Sequence, residues 1–383
     1  MRKLITAFIL IFSFFSISQE PLFTLVDSSK TGINFSNDLI DNKEHSIFLY
    51  ANYYGGAGVG VGDFDNDGLQ DLFFAGNLVN DKIYKNLGNL KFEDKSSTAG
   101  IVNDNSWSTG VTVADVNNDG LLDIYVSCEL YDDKPELRTN KLYINKGNFK
   151  FVESAKNWGI AIERRTRHAV FFDYNRDGLL DLYLLNHPPN AGNFSPFLGT
   201  DMSLSEYNLQ LFQNNGNSFE DVTIKAGLDR SGFPNAAVVA DLNKDGWPDI
   251  YVANDFEAPD FLYFNNKDGS FTYKTETSLK HTSFYSMGVD AADINNDSFL
   301  DLMVLDMTAE DNFRLKSNMS AMNPDLFWKV VNDGGHYQYM FNTLQLNNGN
   351  ETFSDIAQFT GTAATDWSWA SLVADFDLSL IHI

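Results

Sequence analysis

Asp63-Phe64-Asp65-Asn66-Asp67-Gly68-Leu69-Gln70-Asp71 is the stretch that decides the fold, because its pattern, DxDxDGxxD, returns along the chain. Four further copies begin at Asp115, Asp173, Asp241 and Asp293, and a sixth begins at Asp375 as DFD. The first aspartates of successive copies are 52, 58, 68, 52 and 82 residues apart. A pattern that recurs every few tens of residues indicates a repeat architecture rather than a single irregular domain.

A fixed asparagine follows each complete copy, at Asn86, Asn145, Asn214, Asn265 and Asn347. The distance from each asparagine to the next first aspartate is 27 to 29 residues, so this half of the repeat has a constant length. The variation in length is therefore confined to one connection per repeat. The long connections are 127–141, 185–210 and 306–342.

Each repeat is predicted to contain four short strands. In the first repeat, the strands are the GVGVG run before Asp63, 71–75, 83–85 and 91–93, with a Gly88-Asn89 turn between the last two. Four strands per repeat with turn signals between them predict an all-β fold, a β-propeller of four-stranded blades. In an up-and-down blade, the aspartate loops lie on one face and the long connections on the other. Asn323-Pro324-Asp325 in the last connection predicts a helix start, with the helix ending near Gly334.

The alternating carboxylates of each loop repel one another unless a cation neutralises them, and flexible loops of oxygen ligands suit Ca²⁺. Positions 1, 3, 5 and 9 would bind through side chains and position 7 through its carbonyl oxygen, which predicts about five calcium sites. The rival EF-hand requires a glutamate at position 12, where this chain has Phe74, Val126, Leu184, Val252 and Val304. Simple Asp-Gly hairpins would explain the turn but not the first and third ligand positions.

The predicted ligands of loops 1 to 5 share this spacing, with aspartate at position 3 of loop 1 and asparagine there in the others. They are Asp63, Asp65, Asp67, Leu69 and Asp71; Asp115, Asn117, Asp119, Leu121 and Asp123; Asp173, Asn175, Asp177, Leu179 and Asp181; Asp241, Asn243, Asp245, Trp247 and Asp249; Asp293, Asn295, Asp297, Phe299 and Asp301. Gly68 supplies the left-handed backbone that the turn needs. Ser298 stands at this glycine position in loop 5, so loop 5 is predicted to bind calcium most weakly.

Composition narrows the partner classes. The 383 residues include 27 Lys and Arg against 52 Asp and Glu, a net charge of −25, which argues against a nucleic-acid partner.

Residues 1–18 are predicted to be a secretory signal peptide, with Arg2 and Lys3 before an apolar run from Leu4 to Phe15 and a cleavage site at Ser16-Ile17-Ser18. The mature propeller domain would be 19–383, without a membrane span, secreted or at the cell surface, and periplasmic or outer-membrane-associated in a bacterium. Cys128 is the only cysteine, so an intrachain disulfide is excluded.

The motifs resemble FG-GAP/VCBS repeats of integrin-α-type propellers. They are more closely similar to the secreted cartilage-acidic-protein-like (ASPIC/UnbV-associated) proteins, through VADxNxDGxxDxYVxN at 239–254, Asp366-Trp367-Ser368-Trp369-Ala370 and MFNTLQLNNG at 340–349. The resemblance implies a calcium-bound, seven-bladed propeller that serves binding or adhesion without an established enzymatic activity. The chain departs from the pattern at Leu378, which predicts a truncated end with about five blades and the start of a sixth.

Two functions follow from these patterns. The first is a binding or adhesion module that contacts a protein or glycan on the face opposite the calcium loops, with candidate contacts Asp255, Glu257, His187, Phe194, Trp328 and Tyr337. The alternative is a calcium-dependent carbohydrate-active enzyme, such as a polysaccharide lyase, which needs a base and a charge stabiliser in one cleft. His168 and the basic cluster Arg164-Arg165-Arg167 are the candidates for those roles, although a solvated or salt-bridged crossover explains the cluster better.

Overall fold

A computed structural model describes residues 23–50, 52–102, 104–131, 133–188, 207–318 and 323–376. The predicted signal peptide, Phe194 and the chain from Asp377 onward lie outside these residues. None of the helices in the described part is long and apolar enough to cross a membrane.

Five antiparallel sheets of four strands follow one another along the described chain, each in simple meander order. We call these sheets blades 1 to 5. Blade 1 contains β1 Val59–Gly62, β2 Asp71–Phe74, β3 Lys82–Asn86 and β4 Phe92–Asp94; blade 2 contains β5 Trp107–Ala114, β6 Asp123–Glu129, β7 Lys141–Asn145 and β8 Phe151–Glu153. Blade 3 contains β9 Thr166–Phe172, β10 Asp181–Asn186, β11 Gln210–Asn214 and β12 Phe219–Asp221; blade 4 contains β13 Pro234–Ala240, β14 Asp249–Asn254, β15 Phe261–Asn265 and β16 Phe271–Tyr273. Blade 5 contains β18 Val289–Ala292, β19 Asp301–Val304, β22 Thr343–Asn347 and β23 Phe353–Asp355.

Additional elements lie within and beside the long connection of blade 5. β17 Thr282–Ser283 pairs in parallel with β21 Gln338–Tyr339, and β20 Met307–Thr308 pairs with β24 Asp366–Trp367. Two helices, α6 Asn312–Asn318 and α7 Pro324–Asn332, lie between β20 and β21. The predicted helix start is confirmed, because the Asn323 side chain accepts hydrogen bonds from the N–H groups of Asp325 and Leu326.

The core lies between neighbouring blades. Four buried apolar clusters join blade 1 to 2, 2 to 3, 3 to 4 and 4 to 5. The first strands of successive blades contact one another, as the innermost strands of a propeller do. The second strands β6, β10 and β14 are buried along their whole length because a neighbouring blade covers each face. This arrangement explains why their sequences are nearly continuous apolar runs instead of alternating ones.

A short helical turn follows the fourth strand of every blade, a feature that the sequence patterns did not predict. These turns are α2 Ser96–Ala99, α3 Ala155–Trp158, α4 Thr223–Ala226, α5 Thr275–Ser278 and α8 Ala357–Thr360; α1 Ser28–Thr31 precedes blade 1 and a 3-10 helix spans Pro135–Arg138. The last acidic residue of the strand caps the turn in four blades, as where Asp221 Oδ1 accepts the Thr223 N–H at 3.0 Å. The constant half of the repeat is therefore a strand, a turn and a crossover of fixed length.

Candidate metal-binding loops and the opposite face

The five aspartate loops connect the first and second strands of the five blades and share one turn. The carboxylate at position 1 accepts the N–H of position 5 at 2.9–3.1 Å and the N–H of position 6 at 2.7–2.8 Å in every loop. Position 6 has a positive φ throughout, from 71° at Ser298 to 89° at Gly178. The predicted left-handed turn is confirmed, and Ser298 occupies it despite its Cβ.

Position 4 is also left-handed in all five loops, which sequence reasoning missed. Its residues have φ values of 58° to 61° and are Asn66, Asn118, Arg176, Lys244 and Asn296. Asparagine is found in this conformation more often than most residues, but an arginine or lysine in the sequence does not indicate it. The two left-handed residues turn the chain around the position 1 carboxylate, which accepts two N–H groups of its own loop.

The aspartate at position 9 is buried in every loop, at 0–1% exposure. Its two oxygens accept the N–H of position 2 and the N–H of the repeat asparagine, as Asp123 does from Val116 at 3.1 Å and from Asn145 at 2.8 Å. Burial, reinforced by the neighbouring loop carboxylates, raises the pKa of Asp123, Asp181 and Asp249 to about 7. Burial also raises the pKa of Asp71 and Asp301. A cation at these carboxylates would oppose that shift.

Loop 1 gathers its carboxylates most tightly. Oxygen atoms of Asp63, Asp65 and Asp71 lie within 4.8 Å of one another, and among the described residues this is the only group of three or more acidic, histidine or cysteine side chains that close. Asp65 Oδ1 is buried without a hydrogen-bond partner. An all-oxygen set with an unpaired buried oxygen fits a hard cation such as Ca²⁺. In loops 2 to 5 the position 3 asparagine instead accepts the N–H of position 5 at 3.0–3.1 Å.

The repeat asparagine ties neighbouring blades together, a role that its regular spacing did not reveal. The Nδ2 of Asn265 donates to the carbonyl oxygens of Pro248, in its own blade's loop, at 3.2 Å and of Tyr174, in the preceding blade's loop, at 2.9 Å. Asn145, Asn214 and Asn347 make the same pair of bonds to their own and preceding loops. Among the described residues, Asn86 reaches only its own loop, at Gln70 O. The aspartate loops are thus part of the blade interfaces.

On the opposite face, the structure brings together residues from the basic cluster and the candidate contacts. Glu129, fully buried at the end of β6, accepts hydrogen bonds from Tyr50 and from Arg167 at 3.2 Å, and lies 2.6 Å from His187 Nε2. Burial disfavours the charge of Glu129, but Arg167 and His187 outweigh burial and hold its pKa below the ordinary value. Arg167 therefore belongs to a buried ion-pair cluster.

The other candidates differ from one another in exposure. Asp255 is buried, and burial together with the nearby Asp306 raises its pKa to about 7. Trp328 and Tyr337, in the long connection of blade 5, are 54% and 43% exposed, whereas Glu257 is half-buried. His168 is partly buried, and burial lowers its pKa to about 4, so its imidazole is neutral at pH 7.

A cavity of about 550 Å³ opens beside the Glu129 cluster. Its lining combines the aromatic rings of Tyr50 and Tyr131 with charged or titratable groups of His45, Lys134 and Arg165. The rings of His45 and Tyr131 meet edge to face, with centroids 6.0 Å apart. Such a mixture of flat apolar surface and fixed polar groups is typical of small-ligand sites.

The blades and their repeated acidic loops define a repeat protein of the β-propeller class. The FG-GAP-like repeat family matches residues 45–126, 200–252 and 241–304, which contain loops 1, 2, 4 and 5. The chain is therefore an FG-GAP-repeat β-propeller protein. Loop 3 lies outside the matched ranges but makes the same turn. The narrower likeness to cartilage-acidic-protein-like proteins and the seven-blade count stay predictions.

Solved structures with a similar chain course include several carbohydrate-related proteins. One is an Agrocybe aegerita lectin that recognises non-reducing terminal N-acetylglucosamine, with 17% identity over 84% of this chain and 67% of the lectin, at a TM-score of 0.43. A Schwanniomyces occidentalis fructofuranosidase has 9% identity over 78% of this chain and 60% of the enzyme, at 0.36. The Trypanosoma rangeli sialidase has 10% identity over 78% and 47%, at 0.38. No relative is found among the curated proteins.

Proposed function

We propose that this chain is a secreted or surface-exposed calcium-binding propeller module that binds a protein or glycan on the face opposite its aspartate loops. The calcium part is carried by the common turn of the five loops around the position 1 carboxylate, together with Asp65 Oδ1, which is buried and unpaired in loop 1. Asp63, Asp65, Asp67 and Asp71 and their equivalents would hold the ion. The residues before Gln19 support export.

Calcium would act mainly as a structural clamp. The position 9 aspartates and the repeat asparagines connect each loop to a blade interface, so neutralising the loops would stabilise contacts between blades. Any ion that binds only the folded chain raises its stability, by about 2.7 kcal/mol per independent site at a hundred times the Kd. Several such sites would produce a large effect.

Thermal unfolding of the chain from Gln19 tests this proposal in calcium, in magnesium and in a chelator. We expect a rise in the midpoint that is specific to calcium. Asp241→Asn should reduce the rise, whereas Asp268→Asn, an exposed turn aspartate of the same blade outside the loop, should leave it intact. A folded protein whose midpoint does not respond to calcium would overturn the calcium assignment.

The cavity beside Glu129 is the best-supported place for a small ligand on the opposite face. Its aromatic walls and polar groups suit a saccharide, which presents apolar ring faces and hydroxyl groups. Glycan-array binding should be weakened by Tyr131→Ala. Trp328→Ala, a change in the separate connection of blade 5, is the matched control. Binding that depends on Trp328 and not on Tyr131 would move the site to that connection and reject the cavity.

The enzymatic alternative stays a prediction with its own test. Turnover of acidic polysaccharides that is lost in His168→Ala would support it. The expected result for a binding module is saturable capture without turnover.

A further inference from the structure

Lys85, in β3 of blade 1, lies against two carboxylates of loop 1. Its Nζ atom contacts Asp65 Oδ2 and is 2.8 Å from Asp67 Oδ2. The Lys85 and Asp65 side chains are only 22% and 17% exposed, so water screens this contact weakly. The other oxygen of Asp65 is the buried, unpaired Oδ1. Asp65 therefore has one oxygen bound to an internal cation and one buried oxygen without a partner.

The other four blades have neither a lysine at the position of Lys85 nor an aspartate at position 3 of the loop. The residues that correspond to Lys85 are Ile144, Gln213, Phe264 and Leu346, and position 3 of their loops is asparagine. Loop 1 therefore has one additional negative charge, on Asp65, and one additional positive charge, on Lys85. Lys267 approaches Asp245 of loop 4 at 3.2 Å, but it comes from a turn, is 48% exposed and contacts a single carboxylate. Among the described loops, the pairing of a weakly exposed lysine with a position 3 aspartate is therefore specific to loop 1.

We infer that Lys85 is an internal counter-ion of loop 1 that orders the loop without calcium and weakens divalent-cation binding there. This inference rests on the proposed calcium function. A Ca²⁺ ion bound to Asp65 would lie at about 2.3–2.6 Å from its oxygen and a few ångströms from the ammonium group. Since like charges repel strongly at such distances in a shielded site, the ion must displace the ammonium or bind less tightly.

Tb³⁺ luminescence, sensitised by a neighbouring tryptophan, can report on loop 1 alone. Loop 4 has Trp247 at position 7, so Leu69→Trp places the same reporter in loop 1, and Trp247→Phe removes the native signal. Competition with Ca²⁺ then gives the calcium Kd of loop 1. In this background we expect Lys85→Met to lower the Kd at least ten-fold and to lower the unfolding midpoint in chelator.

Two further variants separate charge from local structure. Asp65→Asn alone leaves the ammonium beside one fewer carboxylate, so it should weaken calcium binding. Asp65→Asn with Lys85→Ile copies the Asn117 and Ile144 pair of loop 2 and should restore binding. Such a rescue is not expected of a lysine that merely supports the strand.

The possible results distinguish a failure of the Lys85 inference from a failure of the proposed calcium function. A Kd that stays within two-fold or rises in Lys85→Met overturns the inference, as does a loop 1 that binds no Tb³⁺ with or without Lys85 while loop 4 binds it. The native Trp247 signal of loop 4 tests the calcium function independently. Failure of that signal to respond to calcium counts against the proposed function itself, not only against the role of Lys85.

Discussion

Ser298→Gly is the substitution whose effect on calcium binding the structure defines best. Ser298 has φ 71° at position 6 of loop 5, where the other loops have glycine. Its N–H donates to Asp293 Oδ2 at 2.8 Å, the same distance as from Gly246 to Asp241 in loop 4. The turn is therefore the same in both loops, and loop 5 differs from loop 4 here in the strain that a Cβ brings to a left-handed residue.

The magnitude follows from two opposing terms. A non-glycine residue in the left-handed region costs roughly 1–2 kcal/mol. Glycine loses more conformational entropy than serine when the loop becomes ordered, which offsets about 0.5–1 kcal/mol. The net gain of about 0.5–1 kcal/mol corresponds to an approximately two- to five-fold lower Kd at loop 5.

Tryptophan-sensitised Tb³⁺ luminescence with calcium competition measures this change. Phe299→Trp supplies the reporter in loop 5, at the position that Trp247 occupies in loop 4. The reciprocal change, Gly246→Ser, should raise the Kd of loop 4 by the same factor, read through the native Trp247. An unchanged Kd in both variants would refute the argument that backbone strain sets the affinity of loop 5.

Three further predictions concern the repeat asparagines, pH and the thiol. Asn265→Ala removes one hydrogen bond to the preceding blade and one to its own loop, and it should lower the free energy of unfolding by about 1–3 kcal/mol. This loss should exceed that of Asn86→Ala, whose Nδ2 reaches only its own loop among the described residues. Chemical denaturation of both variants in chelator measures the difference, and equal losses would contradict the inter-blade role. The pKa of Asp123 is raised to about 7, so between pH 4 and 7 the calcium-free folded state keeps a proton that the unfolded state has released. The stability of the calcium-free protein should therefore fall as the pH rises through this range, while stabilisation by calcium grows. Unfolding midpoints at pH 5 and 8, with and without calcium, test the direction of both changes. Burial raises the pKa of Cys128 to about 12, so a thiol reagent should modify it only after unfolding, and rapid labelling of the folded protein would contradict its enclosure.

The sequence alone predicted the parts of the fold that local chemistry determines. The repeated carboxylates and glycines predict a turn, the short apolar runs predict strands, and Asn323 with Pro324 predicts the start of α7. Even the unusual backbone of Ser298 followed from its place in the pattern. These features depend on neighbours a few residues apart, which a linear pattern contains.

The features that were missed depend on residues far apart in the chain or on the whole turn. Asn145 donates to Phe64, 81 residues earlier, and no linear pattern identifies that partner. Arg176 and Lys244 adopt left-handed conformations because the loop imposes them, against the preference of their side chains. The pairing of Lys85 with Asp65 likewise emerges only when β3 and loop 1 are placed side by side.

The contacts of a single loop would connect the proposed metal binding to the assembly of the propeller. The position 9 carboxylate Asp249 holds the N–H of Asn265, and the side chain of Asn265 holds a carbonyl of the preceding blade's loop. A cation that neutralises Asp249 therefore acts at one end of a chain of hydrogen bonds that crosses a blade interface. The same series of hydrogen bonds recurs at loops 2, 3 and 5, so each ion would support two blades. Loss of calcium at one loop would then weaken the interface with the preceding blade.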